Sequence, residues 1–517
     1  MEDGNAVRWF LDRHVAAGRG GRTAFTDPAR SLTYAALAEA SARFAGGLAA
    51  AGIGRERRMA MLMLDTVDFP VAFWGAIRAG VVPVPVNTLL TPEQVAYVLN
   101  DSRAEVVVVS APLLASLAPA IQQAKALRLV LVAGLDGASP AMFPAYATAL
   151  PSFLAAAQPA PEPVAASPDE VAFWLYSSGS TGAPKGTKHL HGSLRATADT
   201  YAVQVLGIRE DDLVFSAAKL FFAYGLGNAL TFPMAVGAQS VLLPDRPTPD
   251  SVGAVMRTHQ PSIFCGVPTL FAAMLAQPGL ARGIGSARLR CCISAGEALP
   301  DHVGKRWEDV VGSEILDGIG STEMLHIFIS NRPGQVRYGS SGVAVPGYAL
   351  RIIDDAGADL PDGEIGELLV QGPSAAEGYW NQRDKTRRTF RGEWVATGDK
   401  YLRDAEGYYR YQGRADDMFK VSGIWVSPFE VETALLSHPS VQEAAVVGRQ
   451  DEDGLVKPMA FVVLKPGVAE ADYEALKEHV KAAAGPWKYP RWVSAVEDLP
   501  KTATGKIQRF KLRSQVE

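Results

Sequence analysis

Residues 171–186 read VAFWLYSSGSTGAPKG, an apolar run from Val171 to Leu175 that breaks into Tyr176-Ser-Ser-Gly-Ser-Thr-Gly-Ala-Pro-Lys-Gly186. The run predicts a buried strand. The segment after it has the chemistry of a triphosphate cradle. Gly179 and Gly182 let backbone N–H groups turn toward a ligand; Ser177, Ser178, Ser180 and Thr181 offer hydroxyl donors to phosphate oxygens; Lys185 supplies positive charge. No Gly-x4-Gly-Lys-Ser/Thr spacing can be drawn through the segment, so it is not a Walker A loop. The bland alternative is a flexible Ser/Gly turn, and the flanking sequence decides between the two.

Upstream, apolar runs alternate with helical patterns. Thr33 opens a stretch in which Leu37, Phe44 and Leu48 recur at helical spacing up to Gly52. Met59 to Leu64 then reads as a strand, Val71 to Ala79 as a helix, and Val81 to Val86, Val106 to Ser110 and Leu129 to Ala133 as strands. This alternation predicts an α/β fold with largely parallel sheets covered by helices. The Pro-rich segment Gln158 to Pro168 predicts a surface linker between two lobes. Downstream the texture changes after Gly413, giving helix (Pro428 to Ser437), strands (Ala444 to Gly448 and Met459 to Leu464), helix (Ala471 to Ala484) and strand (Trp492 to Val496). The expected organisation is a large N-terminal domain of several α/β lobes, residues 1–413, and a small mobile α+β domain, residues 414–517.

A chain of 517 residues needs more than one core. Hydrophobic content of 48%, charged content of 20% and a net charge of −5 argue against a nucleic-acid partner, which leaves a basic stripe. Cys265, Cys291 and Cys292 are few and odd in number, as in a reducing cytoplasm. The acidic start Met-Glu-Asp-Gly-Asn has no secretory pattern. The best membrane candidate, Val71 to Val86, is interrupted by Arg78, Gly80, Pro83 and Pro85 and is too short to span a bilayer. These features place the chain in the cytoplasm. His189-x-His191 has no third ligand nearby and reads as a loop feature.

The phosphate segment is followed, in order, by Ser294-Ala-Gly-Glu-Ala298, Asp317-Gly-Ile-Gly-Ser-Thr-Glu323, Thr397-Gly-Asp399, Gly413-Arg-Ala-Asp-Asp417 and Pro500-Lys-Thr-Ala-Thr-Gly-Lys506. On these motifs, along essentially its whole length, the chain resembles the adenylate-forming superfamily of acyl-CoA synthetases, luciferases and peptide-synthetase adenylation domains. The resemblance implies an enzyme that uses ATP and Mg²⁺ to activate a carboxylic acid as its acyl-AMP and passes the acyl group to coenzyme A. It implies that Glu323 holds Mg²⁺, a hard cation suited to a carboxylate plus phosphate oxygens, and that Thr322 touches phosphate. Asp399 then accepts the ribose hydroxyls and Arg414 adds a ribose or phosphate contact. Ala295, Gly296 and Glu297 with Asp317, Gly318 and Ile319 wall the adenine pocket. Lys506 bridges the attacking carboxylate and the α-phosphate, where charge interactions in a partly dry site are strong; the competing reading is one lysine of a basic tail (Lys501, Lys506, Arg509, Lys511, Arg513). Asp416 falls at the hinge of the small domain, which alternates between adenylation and thioester formation. Gly423 lets the pantetheine arm pass, and Trp425 stands where some relatives carry a basic residue.

Within the superfamily, Phe221-Phe-Ala-Tyr-Gly-Leu-Gly-Asn228 and Gly318 to Phe328 resemble benzoate–CoA ligases. The resemblance implies an acid pocket of Ala223, Tyr224, Gly320, His326 and Ile327. There Gly320 leaves room for a planar carboxylate and His326 donates to it, or else is a satisfied structural histidine. The alternatives are a hydroxy- or aminobenzoate, a short aliphatic acid, or a separate carrier protein as acceptor; only 11 residues follow Lys506, which leaves no room for a fused carrier. A catalytically silent nucleotide-binding regulator is disfavoured by the joint presence of Lys506, Glu323 and Asp399. A homodimer and a lysine acetyltransferase acting on Lys506 are further partners the resemblance allows; acetylation would remove the charge.

Overall fold

Thr33 sits in extended backbone and its hydroxyl accepts the Ala36 N–H, capping the helix Tyr34–Ala50. Tyr34, Leu37, Phe44 and Leu48 on that helix are fully buried, each worth about 1.5–3 kcal/mol relative to exposure. The next helix, Asp68–Arg78, lies close against it at Gly75, where a Cβ would stand 2.6 Å from the Phe44 Cβ. The computed structural model describes residues 4–134, 147–177, 184–277, 285–415, 417–421, 424–452, 455–468, 472–485, 488–501 and 507–516. It divides into two compact units. One comprises the chain through Ala349 together with Val370–Val395; the other comprises Leu350–Leu369 and the chain from Ala396 onward.

In the first unit, a sheet in the order Val82–Pro85, Arg58–Leu62, Val106–Ser110, Leu129–Ala133, Ala147–Ala149 is parallel throughout. Its valine-rich strands are buried, as expected for a sheet covered by helices. The expected strands and helices of this stretch are all present within two or three residues at their ends. Residues 158–168 run without helix or strand, tied down by Ala160 N–H to Ala42 O and Val164 N–H to Arg78 O. A larger sheet of nine strands among the described residues has a parallel centre, Ile315–Gly320, Cys291–Ser294, Ile263–Gly266, Leu213–Ser216, Gln239–Val241 and Thr23–Thr26 in spatial order. Antiparallel strands close it at both edges. A third, antiparallel sheet pairs Val171–Ser177 with Lys185–Leu190 and adds Gly378–Tyr379. The phosphate segment therefore joins two strands of a hairpin. His189 lies on one of those strands and His191 opens the helix His191–Thr197, so the pair is not a loop feature.

In the second unit, Trp394–Arg403 and Tyr409–Arg414 pair antiparallel, beside Gly366–Gln371 and Ala349–Ile353. The compact division falls before Ala396, with these strands grouped with the C-terminal chain. Beyond them come the helix Pro428–Leu436, the antiparallel pair Val441–Gln450 and Val456–Leu464, the helix Tyr473–Ala484 and the strand Trp492–Ala495. Val431, Leu435, Val446, Val462, Leu476 and Val480 fill this core.

Candidate active site

The parallel strands Leu213–Ser216, Ile263–Gly266, Cys291–Ser294 and Ile315–Gly320 all end on one edge of their sheet. Ala223 and Tyr224, Ala295 to Glu297, and Gly320 to His326 come directly after those ends in the chain. Open α/β sheets bind ligands at this edge. Gly296 turns there with φ +96° and its absent Cβ would face open space. Asp317 is buried on its strand; burial pushes its carboxyl up to about 8, against the Leu299 N–H that points at it from 3.5 Å. Gly318 and Ile319 pair across to Ser330 and Ile329.

The turn after Gly320 meets Lys185 and Tyr379 of the third sheet. Leu325 takes a left-handed φ of +64°, unusual for a leucine, and closes a turn in which its N–H donates to Thr322 O at 3.1 Å. The turn presents Thr322 and Glu323 half-buried. Lys185 Nζ donates to Glu323 Oε1 at 3.0 Å and to Tyr379 Oη at 2.8 Å, and Tyr379 in turn donates to the same Oε1 at 2.6 Å. Burial would raise the Glu323 pKa, but the lysine and the phenol hold it below the usual carboxylate range. His189, stacked on Phe173 at 4.9 Å, is pushed down to about 3 by burial despite the nearby carboxylate. Ser177 Oγ, across the strand pair from Lys185, is buried without a hydrogen-bond partner among the described residues. Ser178, Gly179, Ser180, Thr181 and Gly182 lie outside the described residues.

In the second unit, Asp399 and Arg414 are direct cross-strand partners, with Arg414 Nη1 donating to Asp399 Oδ1 at 3.1 Å and to Thr397 O at 3.2 Å. Gly398, immediately before Asp399, has φ +73°, and a Cβ there would stand 2.9 Å from Arg414 Nη2. Lys506, Asp416 and Gly423 lie outside the described residues, and Trp425 contributes its backbone to a strand pairing with Lys420. The arginines after Lys506, expected as a basic tail, are engaged. Arg509 grips Glu432 with two bonds, 2.9 and 2.6 Å, while Arg509 and Arg513 pair with Asp417 at 3.4 and 3.1 Å.

Of the residues expected to line an acid pocket, Tyr224 and Gly320 meet His326. His326 is buried with its ring 5.7 Å from Tyr224, 5.2 Å from Tyr201 and 4.5 Å from Phe232. Burial pushes it down to about 3, so it is neutral. Its Nε2 lies 3.3 Å from the Tyr224 carbonyl oxygen, which can only accept, so Nε2 carries the proton. Nδ1 is then a bare acceptor, and the expected donation to a substrate carboxylate does not fit this tautomer. The Tyr224 hydroxyl lies 3.1 Å from Gly266 O and 3.0 Å from Ile293 O, across the ends of two strands. Gly320 is required for a different reason from the one expected: a Cβ would stand 2.5 Å from His326 O, inside the hairpin itself. Ala223 opens a short helix and Ile327 is buried on the return strand.

A family model described as AMP-binding enzyme matches residues 12–380, and its AMP-binding enzyme C-terminal domain matches 430–506. The chain belongs to the AMP-binding enzyme family. A 4-hydroxybenzoate–CoA/benzoate–CoA ligase of Rhodopseudomonas palustris is 54% identical over 99% of this chain and 94% of its own. A benzoate–CoA ligase of Thauera aromatica is 55% identical over 99% and 96%. The crystal structure of a benzoate CoA ligase from Burkholderia xenovorans superposes with a TM-score of 0.89 at 50% identity, covering 98% of this chain and 99% of that one.

For an AMP-binding enzyme the donor chemistry of the Glu323 turn suits Mg²⁺: an ionised carboxylate, a nearby hydroxyl and a cationic partner that a metal could displace. Among the described residues no three His, Cys, Asp or Glu cluster as a metal site, so phosphate and water oxygens would complete the coordination. Tyr379 is the residue of this site that the motifs do not reveal. It meets Glu323 from 56 positions away and Lys185 from 194, and neither separation leaves a trace in sequence.

Proposed function

We propose that this AMP-binding enzyme converts benzoate, or a closely related aryl carboxylate, to its CoA thioester through an acyl-AMP, consuming ATP and releasing AMP and pyrophosphate. The observation that carries this reading is the end-to-end likeness to ligases named for benzoate. In the first step a carboxylate oxygen attacks the α-phosphorus and the bond to pyrophosphate breaks. In the second the CoA thiolate attacks the acyl carbonyl and AMP leaves. Mg²⁺, held through Glu323 with Thr322 beside it, neutralises phosphate charge when bound.

Lys506 offsets the repulsion between carboxylate and α-phosphate in the first step. Asp399 accepts the ribose hydroxyls, with Arg414 holding its carboxylate in place, and Ala295 to Glu297 and Asp317 to Ile319 bound the adenine. Ser177 to Gly182 and Lys185 face the triphosphate; Lys185, paired with Glu323 in the free enzyme, changes partner when nucleotide enters. Tyr224, Ala223, Gly320, His326 and Ile327 bound the acid, with Tyr224 offering a flat ring an edge or face contact. Residues 414–517 act as the mobile domain, turning at Asp416, and Gly423 admits the pantetheine arm in the second step. The reading also places the protein in the cytoplasm, where its three buried cysteines stay free. It further includes homodimer assembly and acetylation of Lys506, which sedimentation and mass spectrometry test.

The deciding experiment is pyrophosphate release, with and without CoA, across benzoate, hydroxybenzoates, aminobenzoates, cyclohexanecarboxylate and fatty acids. Benzoate and small ring-substituted benzoates should lead, with modest discrimination among them, because one methylene-sized difference is worth only about 1–3 kcal/mol. A medium-chain aliphatic acid preferred tenfold or more in kcat/KM would overturn the aryl assignment.

A further inference from the structure

The segment Ser374 to Trp380 is laced at both ends to the two parts of the site that meet phosphate and metal. Toward the metal turn, Ser374 Oγ donates to Met324 O at 2.7 Å and Ala376 N–H to Glu323 O at 2.8 Å. Toward the phosphate hairpin, Glu377 N–H donates to Lys188 O at 3.0 Å, Trp380 N–H to Gly186 O at 2.8 Å, and Gly378–Tyr379 forms the third strand. Tyr379 is buried where these ties converge, its ring face 4.2 Å from Lys185 Nζ and its edge against Phe390. Its N–H is held by Thr386 Oγ1, and Thr389 Oγ1 lies 3.4 Å from its hydroxyl.

A phenol has one proton to give. With Lys185 donating to the Tyr379 oxygen, that proton points to Glu323 Oε1, the oxygen Lys185 also contacts. Both side-chain bonds to the carboxylate thus fall on Oε1, and among the described residues Oε2 has no side-chain partner. We infer that Tyr379 is a positioning residue: it pins Glu323 by Oε1 so that Oε2 is presented to the metal of the metal–nucleotide complex. The pin survives the exchange in which Lys185 leaves Glu323 for phosphate, because the tyrosine is fixed from its backbone and from Phe390 independently of the lysine. This inference rests on the ATP-dependent reading of the site and goes beyond it by assigning a residue outside the motifs.

The test is calorimetric. A non-hydrolysable ATP analogue is titrated into wild type and Tyr379→Phe, which lacks one oxygen and keeps the ring, once with Mg²⁺ and once with EDTA. The gain in affinity that Mg²⁺ confers should shrink about tenfold in the variant, the scale of one hydrogen bond to a charged group, while affinity in EDTA stays within about twofold. Half-saturating Mg²⁺ for benzoate-dependent pyrophosphate release should rise in parallel, and thioester formation from supplied benzoyl-AMP should not change. Ser374→Ala, which cuts the lacing without touching the phenol, should lower the melting temperature and leave the Mg²⁺ gain intact. Should Tyr379→Phe fail to fold, Phe390→Leu removes the ring packed against Tyr379 and must reduce the Mg²⁺ gain in the same direction. An undiminished Mg²⁺ gain, or equal losses with Mg²⁺ and EDTA, overturns the proposal. A wild type that binds the analogue yet releases no pyrophosphate with any aryl acid would instead sink the proposed function, since calorimetry needs no acid.

Discussion

Around the parallel sheet's edge in the first unit, site residues follow the carboxyl ends of separate strands and meet through several contacts, His326 with Tyr224 among them. In the second, Asp399 and Arg414 face each other as register partners of an antiparallel pair, 3.1 Å apart at the nearest atoms. The first arrangement spreads its contacts over several turns, so no single pair carries it. The second is all or nothing, because a one-residue slip would send both side chains to the opposite face. The contrast predicts graded mutational effects around the parallel sheet's edge and abrupt ones in the second unit.

The largest effect belongs to the C-terminal chain. Lys506→Ala should slow acyl-AMP formation at least ~10²–10³-fold, as for loss of an oxyanion-type stabiliser, and barely slow thioester formation from supplied benzoyl-AMP. Equal losses in the two half-reactions, measured separately, would erase the assignment of this lysine to one step. Gly423→Leu should show the reverse pattern, with pyrophosphate release retained and CoA consumption suppressed; a variant that loses both would mark Gly423 as a folding glycine.

Asp399→Asn tests the register pair directly. It removes a charged acceptor, so KM for ATP should rise about 10- to 100-fold, the equivalent of ~1.5–3 kcal/mol. Gly398→Ala adds a methyl group against Arg414 Nη2 in a left-handed backbone, and should raise KM for ATP by a smaller factor with a stability cost of about 1–3 kcal/mol. If Gly398→Ala were silent, the pair would be looser than its geometry indicates.

The effect least visible in activity is a pH dependence of stability at the parallel sheet's edge. Burial raises the Asp317 carboxyl to about 8, far above its unfolded value of about 3.9. The folded state therefore holds a proton that the unfolded state lacks between those values, and stability falls as pH rises through that window. Asp317→Asn abolishes this slope, so its melting temperature relative to wild type should climb from pH 5 to 8, at up to about 1.4 kcal/mol per pH unit. A difference independent of pH would place the carboxyl in water.

Sequence reached furthest where the chain's own spacing carries the signal. The helix Tyr34–Ala50 is written in its threonine cap and in Leu37, Phe44 and Leu48, and Val106–Ser110 is written in four successive valines. The same holds for the C-terminal helices and strands from Pro428 to Ala495. It failed where function depends on pairing across the fold. Nothing local shows that Tyr379 shares an oxygen with Lys185 and Glu323, or that Arg509 belongs to Glu432, 77 positions away. The protonation of His326 was equally out of reach, because a tautomer is set by the Tyr224 carbonyl opposite it and not by neighbouring residues.

Gly320 has a consequence for anyone redesigning acid preference. The space its missing side chain leaves is already filled by the backbone of His326, and at Gly227 a Cβ would lie 2.3 Å from the His326 ring. Neither glycine is a spare volume into which a larger residue can be built to exclude bulky acids. A library aimed at narrowing or widening this enzyme's acceptance should leave both fixed and begin at Ala223, which opens a short helix outside the hairpin.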